Sequence, residues 1–165
     1  QRQMCIRDRV GTVVTKLLIQ ALPDLAIFGE KDYQQLLVIK RLTRDLDIPV
    51  EIIGAPTIRG ADGLAVSSRN VFLSQTNRET ASKVFEILKK TATAISLGND
   101  VLAACKEART ELILAGFSEI DYFEARHSET VELIQNFENS GRLFAAVWLG
   151  PTRLIDNLEI KEYTD

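Results

Sequence analysis

Leu25-Ala26-Ile27-Phe28-Gly29-Glu30-Lys31-Asp32-Tyr33-Gln34-Gln35 is the stretch on which the reading of this chain turns. Its first four residues are all apolar, the pattern of a short strand buried in a parallel sheet. Glycine and three charged residues then interrupt the run, and apolar residues resume at helical spacing. Asp32 followed three residues later by Gln35 is a variant of the capping box, so a helix is predicted to start just after Lys31. Leu37, Val38, Leu42 and Leu46 are read as its inward face.

Upstream, Val10, Val13, Val14, Leu17, Leu18 and Ala21 share one helical face until Pro23-Asp24 breaks it. Downstream, Pro49 ends the second helix and Val50-Glu51-Ile52-Ile53-Gly54 reads as the next strand. Helix, strand, helix, strand is the α/β order that builds a parallel sheet. Residues 1–9, Gln-Arg-Gln-Met-Cys-Ile-Arg-Asp-Arg, show no period and read as an appended or disordered head outside the fold.

The composition changes at Ala55-Pro56-Thr57. Residues 58–70 contain glycine, have no period and read as an ordered loop. A helix is predicted over 74–97, with Thr76 and Glu79 as a capping box and Ala81, Val84, Phe85, Leu88, Ala92 and Ile95 on one face. Another is predicted over 100–115, ending at Gly116. Strands are predicted over 120–126, 143–149 and 153–157, separated by Asn139-Ser140-Gly141 and Gly150-Pro151. Phe144, Val147 and Trp148 read as core strand residues, and Lys89-Lys90 as a solvated helix face. The domain reading is therefore a head (1–9), the last part of an α/β domain (10–57) and a small α+β lobe with an antiparallel sheet (58–165).

The totals exclude several classes of function. With 165 residues, 45% hydrophobic, the chain can bury a sizeable core. A net charge of −3 argues against general nucleic-acid or membrane-surface binding. No apolar run is long enough to span a bilayer, and no signal peptide is read at the start. Cys5 and Cys105 match no metal or redox spacing and read as reduced thiols of a cytoplasmic protein. The lone His127 cannot build a metal site by itself, so no metal ligands are assigned.

Two segments carry chemistry. At Gly29-Glu30-Lys31-Asp32 a strand runs into a helix N-terminus, whose unpaired N–H groups and partial positive charge suit an anion. Gly29 lets a ligand approach the backbone, Lys31 brings a mobile charge for phosphate oxygens, and Gln35 can point into the same mouth. An ordinary capped connection with a solvated lysine fits this turn equally well. The second segment is Asp62-Gly63-Leu64-Ala65-Val66-Ser67-Ser68-Arg69-Asn70. Two hydroxyls and a guanidinium can bond phosphate oxygens from several directions, and a loop of this kind can close over a triphosphate. It also fits a polar surface loop in which Ser68 or Asn70 caps nearby backbone.

Taken together, the ordered motifs resemble the pantothenate synthetase (pantoate–beta-alanine ligase) family over residues 10–158. The carrying residues are Val10-Gly11-Thr12-Val13-Val14-Thr15-Lys16-Leu17, Phe28 to Leu36, Arg44-Asp45-Leu46, Pro56-Thr57-Ile58-Arg59, Asp62-Gly63-Leu64-Ala65 and Ser67-Ser68-Arg69-Asn70. The resemblance covers about the second half of a whole family member. It implies the end of a Rossmann-like nucleotidyltransferase-type parallel-sheet domain followed by a C-terminal lid. It implies an ATP-dependent ligase, with Mg2+, that joins pantoate and beta-alanine through a pantoyl adenylate, and a homodimer for the complete enzyme. Carried over by position, it implies ATP contacts at Gly29, Glu30, Lys31, Asp32, Ile58, Val66, Ser67, Ser68 and Arg69, and a pantoate contact at Gln35.

The departures are specific. The family's nucleotide turn with two histidines, one of them its catalytic residue, has no counterpart here, and His127 does not match it. The family's other pantoate glutamine and its acidic magnesium-side residues also have no counterpart, and Gly60 replaces a usual acidic residue. A catalytic residue is therefore not assigned, and the chain is expected to be inactive alone. The competing readings are an ATP-lid module completed by a partner half and another adenylate-forming ligase.

Overall fold

The computed structural model describes residues 2–162, with side chains from Val10 onward. The chain divides into two compact units, Gln1–Thr57 and Ile58–Asp165, at the point where the composition changes.

In the first unit, helix α1 (Arg2–Ala21) leads to strand β1 (Leu25–Gly29), a 3-10 turn (Glu30–Asp32), helix α2 (Tyr33–Asp45) and strand β2 (Glu51–Ala55). The helix begins at Arg2, where the sequence reading placed a head outside the fold. No glycine or proline stands between Arg2 and Val10 to stop it, and extending an existing helix is far easier than nucleating one. Strands β1 and β2 pair in parallel, with Ile27 opposite Ile53 and Phe28 opposite Gly54. The small core gathers Leu18, Ile48 and Val50, with Val14, Ala26, Leu42 and Ile52 packed against them. Helix α2 buries Leu36, Ile39 and Thr43, while Val38 and Leu46, read as inward, are exposed. The predicted face was rotated because it followed Leu and Val and passed over Ile39. Leu25, Ile27 and Ile53 form an exposed apolar set that alternates with the covered Ala26 and Ile52.

The second unit is a helical pair on a three-stranded sheet. A loop and a 3-10 turn (Ser68–Phe72) precede α3 (Gln75–Ser96), α4 (Val101–Leu114) and strands β3 (Glu119–His127), β4 (Gly141–Leu149) and β5 (Thr152–Ile160). The sheet is antiparallel in the order β3-β4-β5. Ser74 caps α3 by accepting from the Asn77 amide at 3.2 Å, so the cap stands two residues before the Thr76 expected to provide it. Asp100 caps α4 in the same way through the Ala103 amide at 2.7 Å. One face of the sheet joins both helices around Leu88, Ile95, Leu112, Phe123, Leu143 and Val147. Burying each such side chain contributes about 1.5–3 kcal/mol, so this core dominates the stability of the unit. Of the three β4 residues read as core, Val147 is in this cluster and Phe144 is buried on the opposite face. Trp148 is half-buried and donates its indole N–H to Asp121 at 2.9 Å. Lys90 ion-pairs with Glu107 and Glu111 of α4, and Lys89 lies over the Phe85 ring, so the two lysines do more than solvate a face.

Candidate functional site

The residues singled out in the sequence fall on both units, and each set is built by its own local structure. In the first unit, β1 ends at Gly29, and the chain turns through Glu30, Lys31 and Asp32 into α2. Gly29 is extended, with φ −70° and ψ 134°, and a Cβ placed there would meet nothing within 4 Å. Its value is therefore the open space beside the backbone rather than an unusual dihedral. Asp32 occupies the N-cap of α2 but its side chain makes no capping bond, contrary to the capping box expected with Gln35. The intervening 3-10 turn brings Asp32 to φ −97° and ψ 56°, outside the extended conformation from which a capping side chain reaches back. Asp32 and Gln35 are exposed, while Glu30 and Lys31 are half-buried. A Cβ at Gly54 would stand 3.1 Å from Glu30 Oε1, so the glutamate carboxylate lies over the end of β2 and Gly54 makes room for it.

In the second unit, residues 58–66 fold as a short hairpin. Arg59 and Ala65 form an antiparallel bridge, flanked by bonds from Gly60 N to Leu64 O and from Val66 N to Ile58 O, both 2.9 Å. Gly63, at φ +80°, donates its amide to Gly60 O at 2.9 Å and closes the tip. Buried Leu64 and Ala65 anchor one strand, and Ile58 and Val66 are exposed. Asp62 accepts from the Leu64 amide at 3.2 Å and from Arg78 Nε at 2.8 Å.

Ser67 caps the following 3-10 turn, its hydroxyl accepting from the Arg69 amide at 3.3 Å. Asn70 donates to Ala65 O at 3.0 Å. The structural duties that the sequence allowed for Ser68 and Asn70 thus fall to Ser67 and Asn70. Ser68 and Arg69 are exposed, and none of the described residues engages either side chain. A hydroxyl and a guanidinium side by side, on a loop whose neighbours are tied down, can bind an anion without breaking existing bonds.

Sequence reasoning assigned no role to the groups that brace this loop. Arg59 makes a bidentate pair with Asp156 and stands 3.7 Å from the Phe85 ring centroid. No local spacing could have exposed a contact spanning 97 positions. His127 serves its own turn, its Nδ1 accepting from the Glu129 and Thr130 amides at 3.2 and 3.3 Å. Among the described residues, no group of three or more His, Cys, Asp or Glu converges as a metal site. No described helix is long and apolar enough to cross a membrane.

The same residues lie within a match to known proteins. A family model described as pantoate-beta-alanine ligase matches residues 3–159, which takes in most of the segment read as a head. A pantothenate synthetase of Mesorhizobium japonicum is 54% identical over 153 residues, covering 93% of this chain and 54% of its own length. One from Roseobacter denitrificans is 49% identical over the same shares of both. The crystal structure of pantothenate synthetase from Thermus thermophilus superposes with a TM-score of 0.87 at 40% identity, covering 92% of this chain and 55% of that one. Pantoate-beta-alanine ligase from Francisella tularensis, complexed with beta-gamma ATP and beta-alanine, superposes with a TM-score of 0.68 at 35% identity, covering 92% and 49%. The chain spans about half the length of the curated relatives it matches.

Proposed function

Because this chain belongs to the pantoate–beta-alanine ligase family, we propose that it carries the triphosphate-handling half of an ATP-dependent synthesis of pantothenate. The observation that carries the reading is the pairing of exposed Ser68 and Arg69 with a loop already fixed by Ser67, Asn70 and Arg59. In the first chemical step a pantoate carboxylate oxygen bonds to the α-phosphorus of ATP, and the bond from that phosphorus to the bridging oxygen breaks, releasing pyrophosphate. In the second, the beta-alanine amine bonds to the acyl carbon, AMP leaves with its oxygen, and the amine gives up a proton.

The chain's own residues serve the first step. Ile58 offers its backbone to adenine, and Val66, Ser67, Ser68 and Arg69 form the lid segment that closes on the phosphates. Gly29, Glu30, Lys31 and Asp32 form a turn at the start of α2, where a helix N-terminus favours phosphate. Lys31 follows the charge that shifts toward the leaving pyrophosphate. Gln35 holds pantoate with its amide donor and acceptor. Among the described residues no group of three or more His, Cys, Asp or Glu converges, so magnesium is proposed as the ion that ATP brings on its phosphates. The parallel pair β1-β2 is read as part of a Rossmann-like nucleotidyltransferase-type sheet, and the complete enzyme as a cytoplasmic homodimer.

This sequence contains one histidine, occupied in a turn, and catalytic groups that act as a unit lose most of their effect when any member is missing. Purified chain supplied with ATP, magnesium, pantoate and beta-alanine is therefore expected to bind nucleotide without making pantothenate. Turnover above about one per second, ordinary for an enzyme, would refute that expectation. In a complete enzyme carrying this half, Lys31→Ala is expected to slow single-turnover pyrophosphate release by about 10²–10³. Gln35→Ala is expected chiefly to raise the pantoate requirement. A Lys31→Ala rate within about threefold of the parent would make Lys31 a loop charge of under about 1 kcal/mol.

A second reading, an ATP-lid module completed by a separate chain, is favoured by the exposed apolar set Leu25, Ile27 and Ile53 on the parallel sheet. Mixing this chain with the amino-terminal half of a family member separates the readings. Pantothenate formed only in the mixture supports the module.

A further inference from the structure

We propose that Arg59 and Asp156 form a positioning clamp that holds the 58–69 loop ready for a triphosphate, a role that rests on the nucleotide reading above. A two-stranded hairpin is marginally stable by itself, so the order of residues 58–66 needs an external source. The Arg59 guanidinium supplies it in three directions. Nη1 and Nη2 donate to the two carboxylate oxygens of Asp156 on β5, at 2.6 and 2.9 Å. Nη1 also donates to the Gly63 carbonyl at the hairpin tip, at 3.2 Å. The guanidinium carbon lies 3.7 Å from the centroid of the Phe85 ring on α3. One side chain thus ties the hairpin to a strand, to a helix and to its own turn.

The two charged side chains are 15% and 6% exposed, so the clamp is shielded from solvent. The open end of the same hairpin carries Ile58 and Val66, and the chain then runs directly into Ser68 and Arg69. A braced root with an exposed end lets a ligand bind without first ordering the loop.

A purely structural ion pair would also be buried, and a double substitution tells the two roles apart. Removing one partner strands a charge, whereas replacing both with apolar residues of similar volume restores stability. The double variant Arg59→Met/Asp156→Leu should therefore fold, yet it lacks the fork and the bond to Gly63. The full chain, both single variants, the double variant and Arg59→Lys are compared by amide exchange without ligand and by calorimetric titration with MgATP.

In the double variant the Gly60, Gly63 and Val66 amides are expected to exchange at least tenfold faster, while amides of residues 84–92 in α3 keep their rates. Its MgATP dissociation constant is expected to rise at least tenfold, with Arg59→Lys between it and the parent. Unchanged exchange at 58–66 in the double variant overturns the proposal whether or not ATP binds. So does faster exchange spread through α3, which would make the pair a general support of the fold. A loosened loop with unchanged MgATP affinity overturns it as well. If the parent chain binds no MgATP while the double variant's loop loosens, the nucleotide reading falls and the triphosphate role with it, leaving Arg59 and Asp156 as a brace of the loop alone.

Discussion

Replacing Gly63 with alanine should destabilise the second unit by about 2 kcal/mol, and most of that cost can be located. Gly63 sits at φ +80°, where an L side chain loses about 1–2 kcal/mol. The added Cβ would stand 3.0 Å from Phe85 Cδ1, with two further ring atoms at 3.8 and 3.9 Å. The ring cannot retreat freely, because the Arg59 guanidinium lies 3.7 Å from its centroid and Lys89 Nζ 4.9 Å. Displacing it weakens cation–π contacts that contribute about 0.5–2 kcal/mol. Alanine also narrows the unfolded ensemble, which offsets about 0.4–1 kcal/mol. Gly98 is the internal control: its φ is +92°, yet a Cβ there would meet nothing within 4 Å. Gly98→Ala should then lose only the dihedral part, about 1 kcal/mol. The single tryptophan, Trp148, lies in β4 and reports on this unit by fluorescence during urea unfolding. A Gly63→Ala cost no larger than that of Gly98→Ala would refute the reasoning, because the contact with Phe85 would then carry nothing.

Two further outcomes are expected. Amide exchange in residues 10–55 should be faster than in α3, α4 and β4, because among the described residues the first unit buries few apolar side chains, Leu18, Leu36, Ile39, Ile48 and Val50, against the far larger cluster of the second; slower exchange there would contradict this. Burial pushes the Cys105 thiol from an ordinary 9.0 up to about 11, so the folded chain keeps a proton that the unfolded chain gives up between those values. Stability should therefore fall as pH rises from about 9 toward about 11, and Cys105→Ala should remove that slope; equal pH slopes of the urea midpoint in both proteins would refute it.

Apart from the start of α1, the helices, the strands and the break near residue 57 were legible because each rests on local patterning. The apolar run at 25–28, the glycine after it and the turns before β4 and β5 act over a few residues. The candidate site was legible only as two polar segments at turns, and the family as a resemblance. What local pattern could not decide was which groups cap, brace or stay open. Asp32 had the spacing of a capping residue, but a 3-10 turn took it out of capping geometry. Ser74 caps α3 although Thr76 offered the better motif, because the chain enters the helix two residues earlier. Ser68 and Arg69 remain open because Ser67 and Asn70 take up the local backbone bonds.

Sequence alone determined the order of the elements, since helical and strand periods are properties of neighbouring residues. Only the tertiary structure decided that Arg59 meets Asp156, Phe85 and the Gly63 carbonyl at one point. The physical reason is separation along the chain. A charge becomes a brace only when folding brings a strand, a helix and a turn around it, and no period in the sequence encodes that meeting.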